Sequence, residues 1–221
     1  MDVEDSPDSA SQRTAPGRVI DRLCADILSG HLPAGSRLVV AALAKRYGTS
    51  PMPIRAALQE LGGRGLVTLH PHQGARVRAM DAATIANVYE LRHAVLGVLL
   101  PRCVRLVRDA DLEQITQHAD AYDAAVAARA PAAILETNRR FHHAIYALAD
   151  NPDALDVMDR TWVLVDALRL RFGFGPGRLA ESCRQHRAML RALRRRDAAA
   201  ATSLFQSSSD AAMHDLLRLA G

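Results

Sequence analysis

Three polar side chains on one short predicted helix have the right types and spacing to bind DNA: Arg55, Gln59 and Arg64. Helical periodicity places them opposite Leu58 and Leu61, so they face outward. An arginine can contact guanine in two places or hold a phosphate. A basic outward face on a short helix is the feature with which many proteins enter a groove of DNA.

A two-helix unit is predicted to position these side chains. Gly48 falls where the turn between two helices needs a left-handed residue. The second helix begins after Thr49 or Ser50, either of which can cap it, and Pro51 lies in its first turn, where a missing N–H costs nothing. Apolar residues recur at intervals of three or four, as one buried face of each helix requires: Leu43, Tyr47, Ile54, Leu58 and Leu61.

A preceding helix and a following hairpin complete this unit. The first helix is expected over about residues 16–28. Residues 66–69 and 75–78 are short segments of apolar or β-branched residues, and the Pro71–Gly74 segment between them predicts a two-stranded wing. The pattern over residues 13–78 therefore predicts a winged helix-turn-helix of three helices and a two-stranded wing.

Charge is concentrated in the same segment. Residues 13–78 carry ten basic and three acidic residues, whereas residues 79–221 carry 18 basic and 17 acidic ones. The overall net charge of +4 therefore conceals a basic region, where the release of counterions from phosphates would favour DNA binding. Residues 1–12 carry four acidic residues and no basic one, are rich in Asp, Ser and Pro, and are expected to form a disordered tail.

From Asp81 to the end the pattern is helical. Six helices are expected, over about residues 82–107, 110–128, 131–149, 153–172, 177–195 and 197–219. Their boundaries are indicated by Pro131, the Asn151-Pro152 pair, the Gly173–Gly177 loop and Asp197, which can cap the last helix. Helices of this length form an α-bundle with its own core. The fold class is therefore predicted to be mainly α, with the winged domain followed by an all-α six-helix bundle over residues 79–221.

Cysteine usage and hydropathy limit the class of protein further. Cys24, Cys103 and Cys183 are far apart and odd in number, so neither a disulfide framework nor a zinc finger is indicated. No apolar run approaches the roughly 20 residues needed to span a bilayer. Residues 1–14 lack the basic and then apolar order of a signal peptide. We expect a cytoplasmic protein with no membrane association.

Six segments of the chain match a known family. In the first domain they are DRLCADILSGHLPAGSRL, LAKRYGTSPMPIRAALQELGGRGLV and PHQGARV; in the second they are YELRHAV, RRFHHAIYALADNP and QHRAMLRALRRRDAAAA. On these segments the chain resembles the GntR family of bacterial transcription regulators, in the FadR subgroup with an all-helical FCD ligand-binding domain. The resemblance covers about residues 16–219. It implies a homodimer that binds a palindromic operator in double-stranded DNA, with an affinity that a small metabolite in the helical domain controls.

The resemblance also implies which residues approach DNA. Ser50, Met52 and Arg55 occupy positions of the recognition helix, and His72 and Gly74 occupy the tip of the wing. The family usually has an arginine after the capping serine, where this sequence has a proline, so we expect one base contact to be missing and the operator to differ. The full predicted DNA-binding set is Arg37, Arg46, Ser50, Met52, Arg55, His72, Gly74 and Arg76.

Members of the subgroup often bind a divalent metal through an aspartate and a histidine four residues apart, with two later histidines. The corresponding positions here are Asn138, His142, His186 and Ser208, so two of four strong ligands remain. Whether Asn138, His142 and His186 bind a metal such as zinc or nickel stays open. Arg92 matches a position that faces the same cavity in relatives and could pair with a carboxylate. The predicted effector, a small organic acid, would bind to Arg92, Asn138, His142 and His186.

Three function classes follow. The leading one is a DNA-binding repressor that responds to an organic acid and is not an enzyme. A metal-dependent hydrolase using His142 and His186 is the second, against which stand the lost ligands and the absence of a carboxylate base or a nucleophile motif. The third is an architectural DNA binder indifferent to any effector. Near this site we expect His143 at the surface and Met158, Trp162 and Val165 as bundle packing.

Overall fold

The structure, a computed structural model, describes residues 15–70 and 74–221. The predicted tail over residues 1–12 and the predicted DNA-binding residue His72 lie outside the described residues. The chain divides between Arg78 and Ala79 into two compact units. The elements are α1 (Ala15–Leu28), β1 (Arg37–Leu38), α2 (Val40–Tyr47), α3 (Pro51–Gly63), β2 (Val67–His70), β3 (Gly74–Val77), α4 (Ala82–Leu106), α5 (Asp109–Ala127), α6 (Pro131–Ala147), α7 (Pro152–Phe172), α8 (Arg178–Arg194) and α9 (Ala198–Ala220).

The first unit is built on three helices around one apolar core. Helix α3 packs against both α1 and α2. All five residues predicted to form the buried face of the two-helix unit are buried: Leu43, Tyr47, Ile54, Leu58 and Leu61. Helix α1 adds Val19, Leu23 and Ile27 to the same core. The predicted helix-turn-helix is therefore confirmed.

The turn between α2 and α3 follows the prediction in its backbone but not in its cap. Gly48 adopts the left-handed conformation with φ 64° and ψ 42°. Ser50 precedes α3 in an extended conformation, yet its side chain makes no capping hydrogen bond. The predicted side-chain cap is therefore wrong. One of the two N–H groups from which a capping serine can accept is missing here, because the third helical residue is Pro53 and proline has no N–H.

The wing has one strand more than predicted. Strands β2 and β3 pair antiparallel, with Val67 opposite Val77. Strand β1 pairs with the other edge of β3, with Arg37 opposite Arg76, which gives the strand order β1-β3-β2. The prediction of a two-stranded wing is corrected to a three-stranded sheet. A strand of two residues is too short to leave an alternating pattern in the sequence.

The second unit is the predicted bundle of six helices. Helix α4 packs against α9, α7 and α6, helix α5 packs against α6 and α8, and α8 packs against α9. Each helix begins and ends within two residues of its predicted bounds. Two predicted start signals form hydrogen bonds: the Asn151 side chain accepts from the Ala154 N–H at 3.1 Å, and Asp197 accepts from the Ala200 N–H at 2.9 Å.

The core of the bundle is apolar, with a polar region on one side. Its largest cluster includes Leu99, Leu100, Phe141, Tyr146 and Phe205, all buried. Buried polar and charged side chains also occur in this unit: Thr84, Arg92, His142, Thr161, Arg169, Ser182, His186, Ser208 and Asp215. None of the helices in the described part of the chain has both the length and the apolar character that crossing a bilayer requires.

Candidate functional site

The exposed beginning of α3 presents the predicted recognition residues. Ser50, Met52 and Arg55 are exposed, and Met52 exposes 73% of its surface although it is apolar. Arg55 makes no hydrogen bond or ion pair with another described residue. Its guanidinium group is therefore free to contact a base or a phosphate without first breaking an internal bond.

The neighbouring basic residues are held by internal bonds. Arg46 Nη2 lies 2.8 Å from Asp26 Oδ2, which also accepts a hydrogen bond of 2.6 Å from the Tyr47 hydroxyl. Burial and this hydrogen bond raise the pKa of Tyr47 to about 12. Arg64, in turn, is paired with Glu60 at 3.0 Å, one turn earlier on α3. Asp26 thereby links α1 to α2 and holds the Arg46 side chain in place at the surface.

The sheet places two predicted DNA-binding arginines side by side. Arg37 and Arg76 are register partners on adjacent strands and both are exposed, while Ala75 and Val77 point into the core. Arg76 Nη1 donates to the Gly35 carbonyl at 3.1 Å. Directly opposed like charges are unfavourable in a sheet, so an anion bound at this face would relieve the repulsion. Gly74, also exposed, begins β3 with φ 88°.

The helical bundle encloses a cavity of about 70 Å³. Of the residues predicted to bind the effector, Arg92, Asn138 and His142 line it, and so does Ser208. His186 lies behind the wall, with its ring stacked on Phe141 at 4.0 Å and 5.2 Å from the ring of His142. Further lining residues come from five helices and include Tyr89, Tyr122, Trp162, Val165, Asp166, Arg169, Arg178, Ser182 and Ser209.

Arg92 is held firmly in the wall of this cavity. It is only 4% exposed. Its Nη1 donates to Thr161 Oγ1 at 2.8 Å, and its Cζ lies 4.0 Å from the centroid of the Trp162 ring. No carboxylate of a described residue forms an ion pair with it. Stacking and one hydrogen bond thus fix the guanidinium plane without an ion pair.

A second guanidinium group in the wall was not predicted from the sequence. Arg178, at the start of α8, donates from Nη2 to Gln185 Oε1 at 3.0 Å, and the same oxygen accepts a hydrogen bond of 2.9 Å from Ser208 Oγ. Burial, with the nearby charge of Arg169, lowers the pKa of Arg178. Arg178 also forms no ion pair with a described carboxylate. The cavity wall therefore contains two guanidinium groups that form no ion pair with a described carboxylate.

A third arginine of the cavity wall forms its ion pair and hydrogen bonds within the protein. Arg169 forms a buried ion pair with Asp215, 2.6 Å from Nη1 to Oδ2, and donates from Nη2 to the Ala212 carbonyl at 2.9 Å. The Gly175 N–H donates to the same carboxylate oxygen at 3.2 Å. A side chain at Gly175 would have its Cβ 2.3 Å from Asp215 Oδ1, so only glycine allows this approach. Arg169 is thus neutralised within the protein.

The two histidines predicted for the site are kept neutral by their surroundings. Burial, together with the charges of His186 and Arg92, holds the pKa of His142 well below its ordinary value. Burial likewise lowers the pKa of His186 to about 3. His142 Nδ1 lies 3.2 Å from the Tyr146 hydroxyl, whereas His186 Nδ1 is buried without a described hydrogen-bond partner. Neither ring supplies charge to a ligand near neutral pH.

The residues at the position of the family's metal site do not fit a divalent metal. No three His, Cys, Asp or Glu side chains among the described residues come together in a ligand geometry. The Ser208 hydroxyl is engaged by Gln185, and a serine hydroxyl is a poor ligand for the metals that imidazole selects. Positive charge from Arg92 and Arg178 also reaches His142 and lowers its pKa, and the same field would oppose a dication. The donor set instead suits an anion.

Asp166 is the acidic residue of the cavity wall, and it was not predicted from the sequence. Its carboxylate lies 3.8 Å from Arg139 on one side, and burial raises its pKa to about 7. Trp162 and Val165, predicted as bundle packing, also line the cavity, while Met158 is buried in the core. His143 has a side chain 45% exposed, near the surface as expected, and contacts Asp159 at 3.1 Å.

Nothing local in the sequence marks Arg178 or Asp166. Arg178 is one of several arginines near the start of α8, and Asp166 resembles the surface acids of α7. The one signal that could have found Asp166 is its spacing of four residues from Trp162, which puts both on one helix face. From the sequence alone, that face of the helix is predicted to pack in the core of the bundle.

Two family models match the chain. The model of the FCD domain matches residues 87–209, and the model of bacterial regulatory proteins of the gntR family matches residues 16–77. The matched ranges cover most of the two structural units described above. The HTH-type transcriptional repressor RspR of Escherichia coli K12 is 23% identical over 172 residues, which are 78% of this chain and 75% of that protein.

Solved structures share the fold over nearly the whole chain. Escherichia coli McbR/YncC superposes with a TM-score of 0.74 at 20% identity and covers 94% of this chain and 99% of its own. The structure of Lar, which controls expression of the Listeria monocytogenes agr system, gives a TM-score of 0.71 at 18% identity, covering 93% of this chain and 98% of its own. At these identities the likeness concerns the fold alone.

Proposed function

The chain belongs to the gntR family of bacterial regulatory proteins and carries an FCD domain, and we propose that it represses transcription until a small organic acid binds in its helical cavity. Members of this family are DNA-binding transcription regulators, and so is this protein. The name of the relative RspR, a transcriptional repressor, supports repression as the sign of regulation. Hydrolysis is not proposed, because the donor set does not fit the metal that it would need.

The observation that carries the proposed effector is the pair of guanidinium groups in the cavity wall that form no ion pair with a described carboxylate, Arg92 and Arg178. A buried charge without a partner is unfavourable, and a ligand carboxylate would neutralise it while accepting charge-assisted hydrogen bonds. Neutral His142 and Asn138 on the same wall add hydrogen-bonding groups without adding charge. The chemistry of the wall thus supports an organic acid rather than a cation or an apolar ligand.

The size of the cavity supports a small acid. A single water molecule needs roughly 10–15 Å³ of such space. A cavity of about 70 Å³ therefore holds about five to seven non-hydrogen atoms by the same measure. Carboxylic acids of three or four carbons fall in this range.

The proposed output is the binding of a homodimer to a palindromic operator. Two first domains related by a two-fold axis would contact two equal half-sites. The outer face of α4 supports self-association, since Leu91 and Val98, two turns apart, are 47% and 54% exposed. A second copy packed on this face would remove both side chains from water.

The test of the proposed function measures acid binding by the full chain and its effect on DNA. Trp162 is the single tryptophan and lies under Arg92 in the cavity, so its fluorescence reports occupancy. We expect lactate, alanine, propionate or 3-hydroxybutyrate to change it in a saturable way. The same acid should weaken binding to a duplex selected by the protein from a random library.

Variants of the two guanidinium groups locate the binding site. We expect Arg178→Gln to weaken acid binding about 10- to 100-fold, as loss of a charge-assisted hydrogen bond predicts. Arg184→Gln is the matched control, because Arg184 is an exposed arginine on the same helix, paired with Glu181. An acid that binds equally to both variants would contradict the proposed site. DNA affinity that no probe acid alters would favour an architectural DNA binder instead.

A further inference from the structure

Several buried polar atoms around the cavity have no hydrogen-bond partner. Six buried side-chain nitrogen or oxygen atoms of the described residues have no hydrogen-bond partner. Three of them belong to residues that line this cavity: Trp162 Nε1, Asp166 Oδ1 and Ser209 Oγ. Buried polar atoms in folded proteins are nearly always hydrogen-bonded, so three such atoms around one cavity indicate a ligand that completes them.

The types of these atoms define what the ligand must offer. The indole Nε1–H of Trp162 can only donate, an ionised Asp166 can only accept, and the Ser209 hydroxyl can do either. Trp162 and Asp166 are one turn apart on α7 and share a face. Since Arg92 stacks on the Trp162 ring, donors and one acceptor lie close together on this wall.

We propose that Asp166 selects the effector by accepting a hydrogen bond from it, so that the bound acid carries a hydroxyl or ammonium group near its carboxylate. The effector is then a small hydroxy acid or amino acid. This inference rests on the proposed function, because it assigns the carboxylate of the same effector to Arg92 and Arg178. It adds a residue that determines specificity.

A plain carboxylic acid would leave this wall incomplete. Its carboxylate satisfies the guanidinium groups and the indole N–H, but it has no donor for Asp166 Oδ1 and repels Asp166 in its ionised form. A dicarboxylate would place a second negative charge near the same group. A hydroxyl or ammonium group supplies the missing donor, and an ammonium group also neutralises the charge.

The surroundings of Asp166 direct one of its oxygens inward. Oδ2 faces Arg139, 3.8 Å away on α6, and Arg139 is itself paired with Glu136. Oδ1 is buried and has no described partner. Burial raises the pKa of the carboxyl to about 7. A donor from a ligand would therefore be worth more here than at the surface.

The experiment compares acids of equal carbon number on the full chain. Propionate, lactate and alanine differ only in the substituent on the second carbon, and butyrate and 3-hydroxybutyrate form a longer pair. By calorimetric titration we expect the acids with a donor to bind at least ten-fold more tightly than their plain counterparts. This comparison in the wild type needs no variant that might misfold.

Asp166→Asn then assigns the preference to one residue. We expect it to weaken binding of lactate and alanine at least five-fold, to affect alanine more because its ammonium group loses an ionic partner, and to leave propionate binding unchanged or tighter. Asp159→Asn is the matched control, on the same helix but outside this cavity.

The outcomes separate this inference from the proposed function. Acids that all bind, with no preference for a donor and no effect of Asp166→Asn, would overturn the role of Asp166 and leave the organic-acid site standing. Failure of every probe acid to bind the wild type would overturn both. A preference for donors that Asp166→Asn leaves intact would also overturn the assignment to Asp166.

Discussion

The two functional regions of this protein are built in opposite ways. The proposed recognition surface of the first domain lies within about forty residues, from β1 to β3, and its described residues that are predicted to contact DNA are exposed. The cavity of the second domain draws its wall from six helices, α4 to α9, and its charged groups are largely buried. Arg55 represents the first region, free in solvent, and Arg92 represents the second, held by stacking and a hydrogen bond.

This difference has an energetic consequence. An exposed arginine contributes little to the stability of the fold, so its replacement acts on DNA binding alone. A polar group in the cavity is coupled to other helices, so its replacement acts on both folding and ligand binding. The recognition surface can therefore change its sequence preference at low cost in stability, whereas the cavity cannot easily change its charged groups one at a time.

The largest effect that would test this difference is expected at the buried ion pair of the bundle. Asp215→Ala leaves Arg169 buried without its counter-charge, and breaking such a pair costs about 3–5 kcal/mol. We expect urea unfolding, followed by Trp162 fluorescence, to report a decrease of this size in the free energy of unfolding. Arg218→Ala is the control, since Arg218 contacts the same carboxylate at 3.2 Å but has a side chain 71% exposed. A loss below about 1 kcal/mol for Asp215→Ala would contradict the claim that the cavity and the fold are coupled.

The next effect concerns the recognition surface. Arg55→Ala should weaken binding to the selected duplex by about 1–3 kcal/mol, because a free guanidinium group loses its base or phosphate contact. Its unfolding should remain that of the wild type, since Arg55 has no internal partner. Fluorescence anisotropy at a fixed salt concentration measures the first quantity, with Arg184→Ala, an exposed arginine of the second domain paired with Glu181, as the control. Unchanged DNA affinity would count against α3 as the recognition helix.

The smallest effect concerns pH and the buried histidine behind the cavity. The pKa of His186 falls from an ordinary value of 6.5 to about 3 in the folded protein. Below pH 6.5 the unfolded chain therefore binds a proton that the folded chain does not, and stability falls as the pH falls toward 3. His186→Phe removes this dependence of stability on pH and an unpartnered nitrogen, and it keeps an aromatic ring against Phe141.

We expect His186→Phe to be more stable than the wild type by about 1–2 kcal/mol at pH 5, at about 1.4 kcal/mol per pH unit. At pH 8 both states of the wild-type histidine are neutral, so the difference between variant and wild type should be smaller. Thermal unfolding at the two pH values measures this. A difference independent of pH would mean that His186 acts through packing alone.

The sequence was most informative where a feature depends on near neighbours. Gly48, Asn151 and Asp197 mark helix ends through hydrogen bonds or backbone conformations within a few residues, and all three occur as predicted. The predicted cap at Ser50 failed for a reason also local, the missing N–H of Pro53. Strand β1, by contrast, exists only through its pairing with β3, 37 residues or more further along the chain.

The residues of the candidate site show the same difference between features that depend on near neighbours and features that depend on the folded structure. Arg92, Asn138 and His142 were found because they lie in segments that resemble a family, and they line the cavity. His186 was placed in the wall by the same resemblance but lies behind it. Arg178 and Asp166 were missed, because their importance comes from what surrounds them after folding.

By itself, the sequence determined the order of helices, the winged first domain and the basic charge of that domain, and its resemblance to a family implied the class of regulator. The first three follow from periodicity, turn residues and charge, which act over a few residues and can be seen along the chain. Only the tertiary structure decided that the cavity wall contains two guanidinium groups without an ion-pair partner and one carboxylate with a buried, unpartnered oxygen. Burial and pairing are properties of side chains from different helices, and the free energy of a charge depends on those neighbours rather than on its position in the sequence.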